Sequence, residues 1–315
     1  MLNIIIISIT MIDKIPLDLL TEVIFLQLDV VDITRLSLVN KKLNNTIKEY
    51  GFRNHYQHLS IKYDKYNPNY NYGNLKLHTS TNYLDDRDLS SIYEIEIYGN
   101  STTYGNIGMI LNVPNVVFKN VNIDDTNTEL FKNPNKIISL CLSRTYISDV
   151  SSLGNIHTLD ISNNLIKDVS GLKNVHTLNL SYTCVKDVSM LGYLHTLDLT
   201  ATRVTDVSAL SKLYKLTLSY TQVTDVSALG NLHELNLSNT RVSDVSMLGN
   251  VCILDLTDSW VLDVSMLGNV HTLNLTGTQV SDASMLGNVH TLDLTETRVT
   301  DISKLTGVCN LIYKN

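Results

Sequence analysis

The sequence VHTLNLSYTCVKDVSMLGY, residues 175–193, is one copy of a unit that recurs every 19 residues. One column of the repeat is aspartate in nine successive copies, a regularity far beyond chance. Self-similarity at a fixed short period is typical of repeat architectures, in which each unit stacks on its neighbours. We call this column the turn aspartates: Asp149, Asp168, Asp187, Asp206, Asp225, Asp244, Asp263, Asp282 and Asp301.

Each unit predicts a short strand and then a turn on the opposite side of the coil. In Val175-x-x-Leu178-x-Leu180 apolar and polar residues alternate, which is typical of a strand with one buried face. Asp187 precedes a short helical turn, where its carboxylate accepts amide hydrogens two or three residues later. No coil can bury its apolar ring alone, so the coils must fold together. The ring of this unit is Val175, Leu178, Leu180, Val185, Val188 and Leu191.

The unit resembles the leucine-rich repeat, with its L-x-x-L-x-L core, and in particular the internalin and SDS22-like class. The resemblance implies an α/β solenoid of 19-residue coils with a parallel sheet on its concave face. The unit of that class is one apolar triplet longer, and its ladder asparagine survives here only at Asn164. A hydroxyl replaces only part of what an amide donates and accepts, so we expect altered hydrogen bonding in this loop. Hydroxyl residues take the ladder position at Thr145, Thr183, Thr202, Thr221, Thr240, Ser259, Thr278 and Thr297.

Upstream of the strict repeats the register is looser. We predict ten strands in register over residues 140–313, preceded by two or three irregular strands that include residues 75–77 and 95–97. Residues 51–74, rich in Tyr, Asn and Lys, predict a connecting segment with little regular structure. The predicted organisation is a helical module at residues 11–50, a linker and irregular first coil at 51–90, and the solenoid at 91–315.

The N-terminal module has helical spacing of apolar residues, and Pro16 suits the first turn of a helix. Its segments IPLDLLTEVI (15–24) and DITRLSLVNKKL (32–43) resemble an F-box, a small all-α domain, with mild departures such as Asp18 for Glu. The resemblance implies docking on a Skp1-like adaptor of a cullin ubiquitin ligase. The alternative is a helical cap that covers the first coil. By resemblance, the adaptor contacts are Pro16, Leu19, Leu20, Val23, Leu36, Leu38 and Val39.

Composition argues against several functions. The formal charge is −7 and no basic patch occurs, so nucleic acid is not an expected partner. The apolar run at residues 4–7 is too short to span a membrane. No phosphate-cradling glycine loop, metalloprotease motif or nucleophile elbow is present, so we expect no catalysis and no cofactor. The four cysteines have no paired spacing, which favours an intracellular and reduced chain.

Two columns carry chemistry-bearing side chains. The histidines at 157, 176, 195, 233, 271 and 290 share one position of the repeat. A metal-binding or pH-sensing ladder is one hypothesis, and duplication of a tolerated residue at the start of the strand is the favoured one. For the turn aspartates, capping suffices without calcium, because each coil offers one carboxylate where calcium needs several oxygens.

The outward strand positions are mostly Thr, Ser, Asn or Asp, which predicts a polar and mildly acidic concave face. Departures from the repeat are the informative positions, and an exposed Trp beside Tyr and charged groups is typical of a binding hot spot. Drift at a tolerant position is the alternative. The predicted target-binding residues are Lys215, Tyr220, Glu234, Asn239, Ile253, Asp258 and Trp260.

These features predict an interaction protein whose F-box holds the adaptor and whose repeats hold a protein to be ubiquitinated. The alternative is a stand-alone binding or adhesion module. The abundance of Asn, Ile, Tyr and Lys resembles the F-box and repeat proteins of giant DNA viruses and amoebae. We expect a cytoplasmic location, in the host cytoplasm if the protein is viral.

Overall fold

The structure is a computed structural model that describes residues 59–62, 75–79, 89, 92–98, 107–119, 121, 123, 125–128, 131–132 and 136–314. The F-box-like module at residues 11–50, with all predicted adaptor contacts, lies outside the described residues. The chain divides into two compact units, residues 1–122 with 134–139 and residues 123–133 with 140–315. Within the described part, no helix combines the length and apolarity needed to cross a membrane.

The first unit contains four parallel strands, each paired with the next along the chain. Two of these strands cover the predicted 75–77 and 95–97 segments. The first strand lies within residues 51–74, so the expectation of little regular structure there is wrong in part. The apolar side chains of Ile95 and Phe118 are fully buried. The strands are β1 (Leu59–Lys62), β2 (Leu75–Thr79), β3 (Ile92–Tyr98) and β4 (Asn115–Lys119), and a 3₁₀ helix spans Ile107–Asn112.

The second unit contains the ten strands that the period predicts, and the strict repeats are confirmed as a leucine-rich-repeat array. Neighbouring strands are parallel and pair exactly one repeat apart, as where Leu197 is in register with Leu216. The strands are β5 (Ser139–Cys141), β6 (Thr158–Asp160), β7 (Thr177–Asn179), β8 (Thr196–Asp198), β9 (Lys215–Thr217), β10 (Glu234–Asn236), β11 (Ile253–Asp255), β12 (Thr272–Asn274), β13 (Thr291–Asp293) and β14 (Asn310–Ile312).

The core runs through the interior of the coils. In the unit quoted above, all six ring residues are at most 2% exposed, as predicted. The strand contributes only its middle residue, Leu178, and the rest of the ring comes from the loop and the turn. The buried side chains of one coil therefore need those of the next coil to exclude water, which makes the array cooperative.

The turns opposite the strands are 3₁₀ rather than α-helical. In one coil the amide of Leu191 donates to the Val188 carbonyl at 2.9 Å, the three-residue spacing of a 3₁₀ turn. Each turn aspartate accepts the amide hydrogen of the serine two residues later, at 2.8–3.0 Å, which confirms the predicted hydrogen bond. The residue at the N-cap of the 3₁₀ turn is however the valine between the two, as at Val188, and not the aspartate. The turns assigned as 3₁₀ in this unit are Ser151–Leu153, Ser170–Leu172, Ser189–Leu191, Ser208–Leu210, Ser227–Leu229 and Ser265–Leu267, and a short α-helix spans Asp125–Thr128.

The ladder position differs between asparagine and threonine, as expected. The side-chain amide of Asn164 donates through Nδ2 to the Leu142 carbonyl in the preceding coil at 2.8 Å. Its Oδ1 accepts the backbone amide hydrogen of Thr145 at 3.0 Å. The threonine hydroxyls instead donate to a carbonyl three residues earlier in their own coil, at 2.6–2.8 Å. The side-chain bridge between coils is therefore made by asparagine and is absent at the threonines described.

Ser259 is the exception among the hydroxyls of this position. Its Oγ is buried and has no hydrogen-bond partner. We expect Ser259→Thr to raise the free energy of unfolding by about 1 kcal/mol, because a threonine there can donate to the Leu256 carbonyl as its counterparts do. Urea unfolding of the variant measures this, with Thr240→Ser as the matched reverse change. An unchanged or lower midpoint for Ser259→Thr contradicts the prediction.

Candidate binding surface

The outward side chains of the strands form a continuous surface, which we call the strand face: the first and third residues of β6 to β13. In these strands the middle residue is buried and its two neighbours are partly or fully exposed. Because the strands are parallel and in register, equivalent side chains form straight rows across the coils. The strand face can thus present a row of side chains to an extended ligand.

Three predicted target-binding residues begin three consecutive strands. Glu234 is in register with Lys215 on one side and with Ile253 on the other. Lys215 and Glu234 form an ion pair, in which the side chains are 41% and 31% exposed. Ile253 is 36% exposed, an apolar side chain where most coils have threonine. The structure therefore brings these three residues together as one patch.

Three further predicted residues lie in the loop that follows each of these strands. Tyr220, Asn239 and Asp258 have left-handed backbones, with φ of 58°, 56° and 54°. Each donates its amide hydrogen to a carbonyl of the next coil, at 3.1, 2.8 and 2.9 Å respectively. This hydrogen bond between coils holds non-glycine residues in a conformation they otherwise avoid. The ring of Tyr220 is 60% exposed.

Trp260 follows β11 by five residues and its side chain is 61% exposed. The guanidinium carbon of Arg241, in the preceding coil, lies 5.4 Å from the centroid of a Trp260 ring, within the range of a cation–π contact. The indole is thus both largely exposed and in contact with a cationic side chain.

The histidine column forms stacks. The ring centroids of His157 and His176 are 4.5 Å apart, those of His176 and His195 are 4.6 Å apart, and Tyr214 extends the stack at 4.7 Å. Nδ1 of His176 hydrogen-bonds to the hydroxyl of Thr177 at 3.2 Å. Partial burial and the nearby imidazoles of His157 and His195 lower the pKa of His176. The stacked rings thus pack one coil against the next. Among the described residues, no cluster of three or more His, Cys, Asp or Glu is suited to a metal.

The turn aspartates lie on the other side of the coils and are exposed. In eight of them, from Asp168 to Asp301, the pKa lies below the ordinary value of 3.8. The main cause is the hydrogen bond from the backbone amide of the serine two residues later, and the second is the hydrogen bond from that serine's hydroxyl. A lowered folded-state pKa means that these carboxylates stabilise the fold above 3.8 and lose that contribution as the pH falls through the lower value. These hydrogen bonds therefore help to hold the turns in place.

Sequence reasoning missed three features of this surface. The left-handed loop position is one, since its residues are as different as Ala201, Tyr220 and Glu296. The stacking of the imidazoles and the contact of Arg241 with Trp260 are the others. The stacks could have been predicted from the sequence, because the rings that stack are 19 residues apart and therefore lie at equivalent positions of neighbouring coils.

Comparison with known proteins finds matches for both the N-terminal segment and the repeats. Residues 12–55 match the family model of the F-box domain. A crystal structure of an internalin (inlF) from Listeria monocytogenes is 21% identical, covers 90% of this chain and 94% of its own, and superposes with a TM-score of 0.64. A leucine-rich-repeat protein of Leptospira interrogans is 16% identical, with 75% and 82% covered and a TM-score of 0.53. No curated protein sequence matches the chain significantly.

These matches establish that the repeats have a leucine-rich-repeat fold and that the N-terminal segment is an F-box domain. At this level of identity the solved structures support the fold alone. Both F-box domains and leucine-rich repeats are typically modules that bind other proteins. The chain joins an F-box segment to a leucine-rich-repeat array, and this combination supports a role in protein–protein interaction.

Proposed function

We propose that this chain is the substrate receptor of a Skp1–cullin–F-box type ubiquitin ligase. The observation that carries the proposal is the F-box match at residues 12–55, followed by a repeat array with an exposed strand face. The F-box binds a Skp1-like adaptor, and the strand face binds the protein to be modified. Catalysis then belongs to other subunits, while this chain supplies proximity. Such a receptor acts inside the cell, and we place it in the cytoplasm.

The target site we propose is the set of coils in which the repeat is broken. Lys215, Glu234 and Ile253 interrupt a row that is threonine in most other coils. Trp260 adds the large exposed aromatic surface that hot spots commonly have. None of these side chains fills the apolar core, because all of them are partly or fully exposed, and each is accessible to a partner.

Adaptor binding is the experiment that tests this function. We expect the full-length chain to co-purify with a Skp1-like protein and Leu19→Asp with Leu36→Asp to abolish the capture, because two buried charges are costly at an apolar interface. Leu17→Asp with Thr34→Asp is the matched control, since both positions fall outside the F-box pattern. Capture retained by the first pair, or absent from the unmodified chain, contradicts the proposal. Circular dichroism checks that the repeats of each variant remain folded.

A further inference from the structure

The third position of the strands carries charge that the fold does not require. Asp160, Asp198, Asp255 and Asp293 each accept, through Oδ1, the amide hydrogen two residues later, at 2.8–3.0 Å. Asparagine makes the same bond over the same range of distances in three coils between them. An asparagine oxygen therefore serves in this turn as well as a carboxylate does. We call these four aspartates the carboxylate row.

The charge of the carboxylate row is not neutralised on the strand face. Lys215 is the one cationic residue among the first and third positions of β6 to β13, and it pairs with Glu234. Among the described residues, no Lys or Arg forms an ion pair with the carboxylate row. The side-chain donors to three of the four are neutral: Asp160 accepts the thiol of Cys141, Asp198 the hydroxyl of Thr200, and Asp255 the hydroxyl of Thr257 and the side-chain amide of Asn236. All four side chains are partly exposed, so a cationic ligand can reach them.

Exposed aromatic rings lie in the loops that follow several strands, the same loops that contain the left-handed residues. Tyr182, Tyr220 and Trp260 are 58%, 60% and 61% exposed. In this protein exposed rings already take cations: Arg241 lies over Trp260 at 5.4 Å, and the Lys212 ammonium lies 5.1 Å from the ring centroid of Tyr193. Carboxylates and exposed aromatic faces are both complementary to lysine and arginine side chains, and this surface carries both.

We propose that the strand face binds an extended, Lys- or Arg-rich segment of a target protein that runs across the strands. The proposal takes the strand face as the target site of the proposed function, and it is independent of the adaptor. Adjacent strands are about 4.8 Å apart, so Asp160 and Asp198, two strands apart, are separated by about 10 Å. The same separation applies to Asp255 and Asp293. In an extended segment of polyproline II conformation, residues three apart point to the same side and are separated by about 9 Å, so the matching motif is two basic residues with two residues between them.

The test uses the full-length chain and synthetic peptides that carry two Lys-x-x-Lys pairs. One variant replaces the carboxylate row, as D160N, D198N, D255N and D293N. The control replaces four turn aspartates, as D187N, D206N, D225N and D244N. Both sets change the net charge by the same four units, and both keep the oxygen that caps the turn, so folding is expected to persist. Titration calorimetry measures the Kd of each peptide in about 0.15 M salt, because this salt screens charge interactions beyond about 8 Å.

We expect the unmodified chain to bind the peptide and the carboxylate-row variant to bind it at least about tenfold more weakly, because tenfold corresponds to about 1.4 kcal/mol and four exposed ion pairs of about 0.2–1 kcal/mol each are lost. The turn-aspartate control is expected to change Kd by less than about threefold, because screened charges on the far side contribute little. A peptide with the same lysines placed side by side should bind more weakly than the spaced one.

Equal weakening by both variants overturns the proposal, because it shows diffuse attraction to net charge. Equally tight binding of a peptide with glutamine in place of lysine also overturns it, since the partner is then not basic. Failure of the receptor function is recognised separately. If adaptor capture fails while the spaced peptide still distinguishes the two variants, the ligase assignment falls and this inference stands.

Discussion

Replacement of Leu235 by alanine is expected to lower the free energy of unfolding by about 2–5 kcal/mol. Leu235 is the middle residue of β10 and its side chain is 1% exposed. It lies between Leu216 and Leu254, its partners in the neighbouring strands. Truncation removes buried apolar surface and leaves a cavity between three coils, which the paired strands cannot close by moving together.

Urea unfolding followed by circular dichroism measures this effect, and Leu262→Ala is the matched control. Leu262 is 65% exposed, so the same chemical change there is expected to alter the free energy of unfolding by less than about 0.5 kcal/mol. Similar losses for the two variants are incompatible with the packing described here. A loss confined to Leu235→Ala supports a continuous core through the repeats.

Removal of the Asn164 side chain, as Asn164→Ala, is expected to destabilise the chain by about 2–4 kcal/mol. The side chain is 3% exposed, and its Nδ2 lies within 2.8–3.1 Å of three carbonyl oxygens. Its Oδ1 accepts the amide hydrogen of Thr145. Alanine leaves these buried backbone groups unsatisfied at a point where water cannot easily replace the amide.

Asn164→Thr separates the two roles of this residue. Threonine is the residue of most other coils, and its hydroxyl can donate to the Ile161 carbonyl within the same coil. It cannot reproduce the bonds to Leu142 and Thr145 in the preceding coil, so an intermediate loss of about 1–2 kcal/mol is expected in urea unfolding. If threonine restores the full stability, the bridge between coils contributes nothing and the interpretation given above is wrong.

Much of the fold could be predicted from periodicity because burial constrains the same positions in every coil. The alternation in Val175-x-x-Leu178-x-Leu180 defines both the strand and its buried face, and the ten strands in register are confirmed. Asp187 was sufficient to predict a capped turn, although the turn is 3₁₀. Without the apolar triplet found in longer repeats, the segment from Ser189 to Leu191 has room for one tight turn only.

Features that depend on neighbouring coils were not predicted. The left-handed conformation of Ala201 or Tyr220 arises from an amide that points to the next coil, and no residue type marks it. The strand at Leu59–Lys62 was missed because its sequence is short and is surrounded by tyrosine, asparagine and lysine. Lys215, Glu234 and Ile253 lie in register in adjacent strands. The role in binding of all the predicted contact residues stays a prediction, as does each adaptor contact in residues 11–50.

Each coil in the strict array hydrogen-bonds only to the coil before it and the coil after it, and the bonds that pair the strands are made by equivalent backbone atoms from one coil to the next. A whole 19-residue segment can therefore be inserted or deleted and the new junction still joins compatible surfaces. Unequal exchange between gene copies can lengthen or shorten the array in steps of 57 base pairs. Such a step moves aspartate, asparagine and lysine side chains relative to one another along the surface, and can thereby change which ligand fits without a single point mutation.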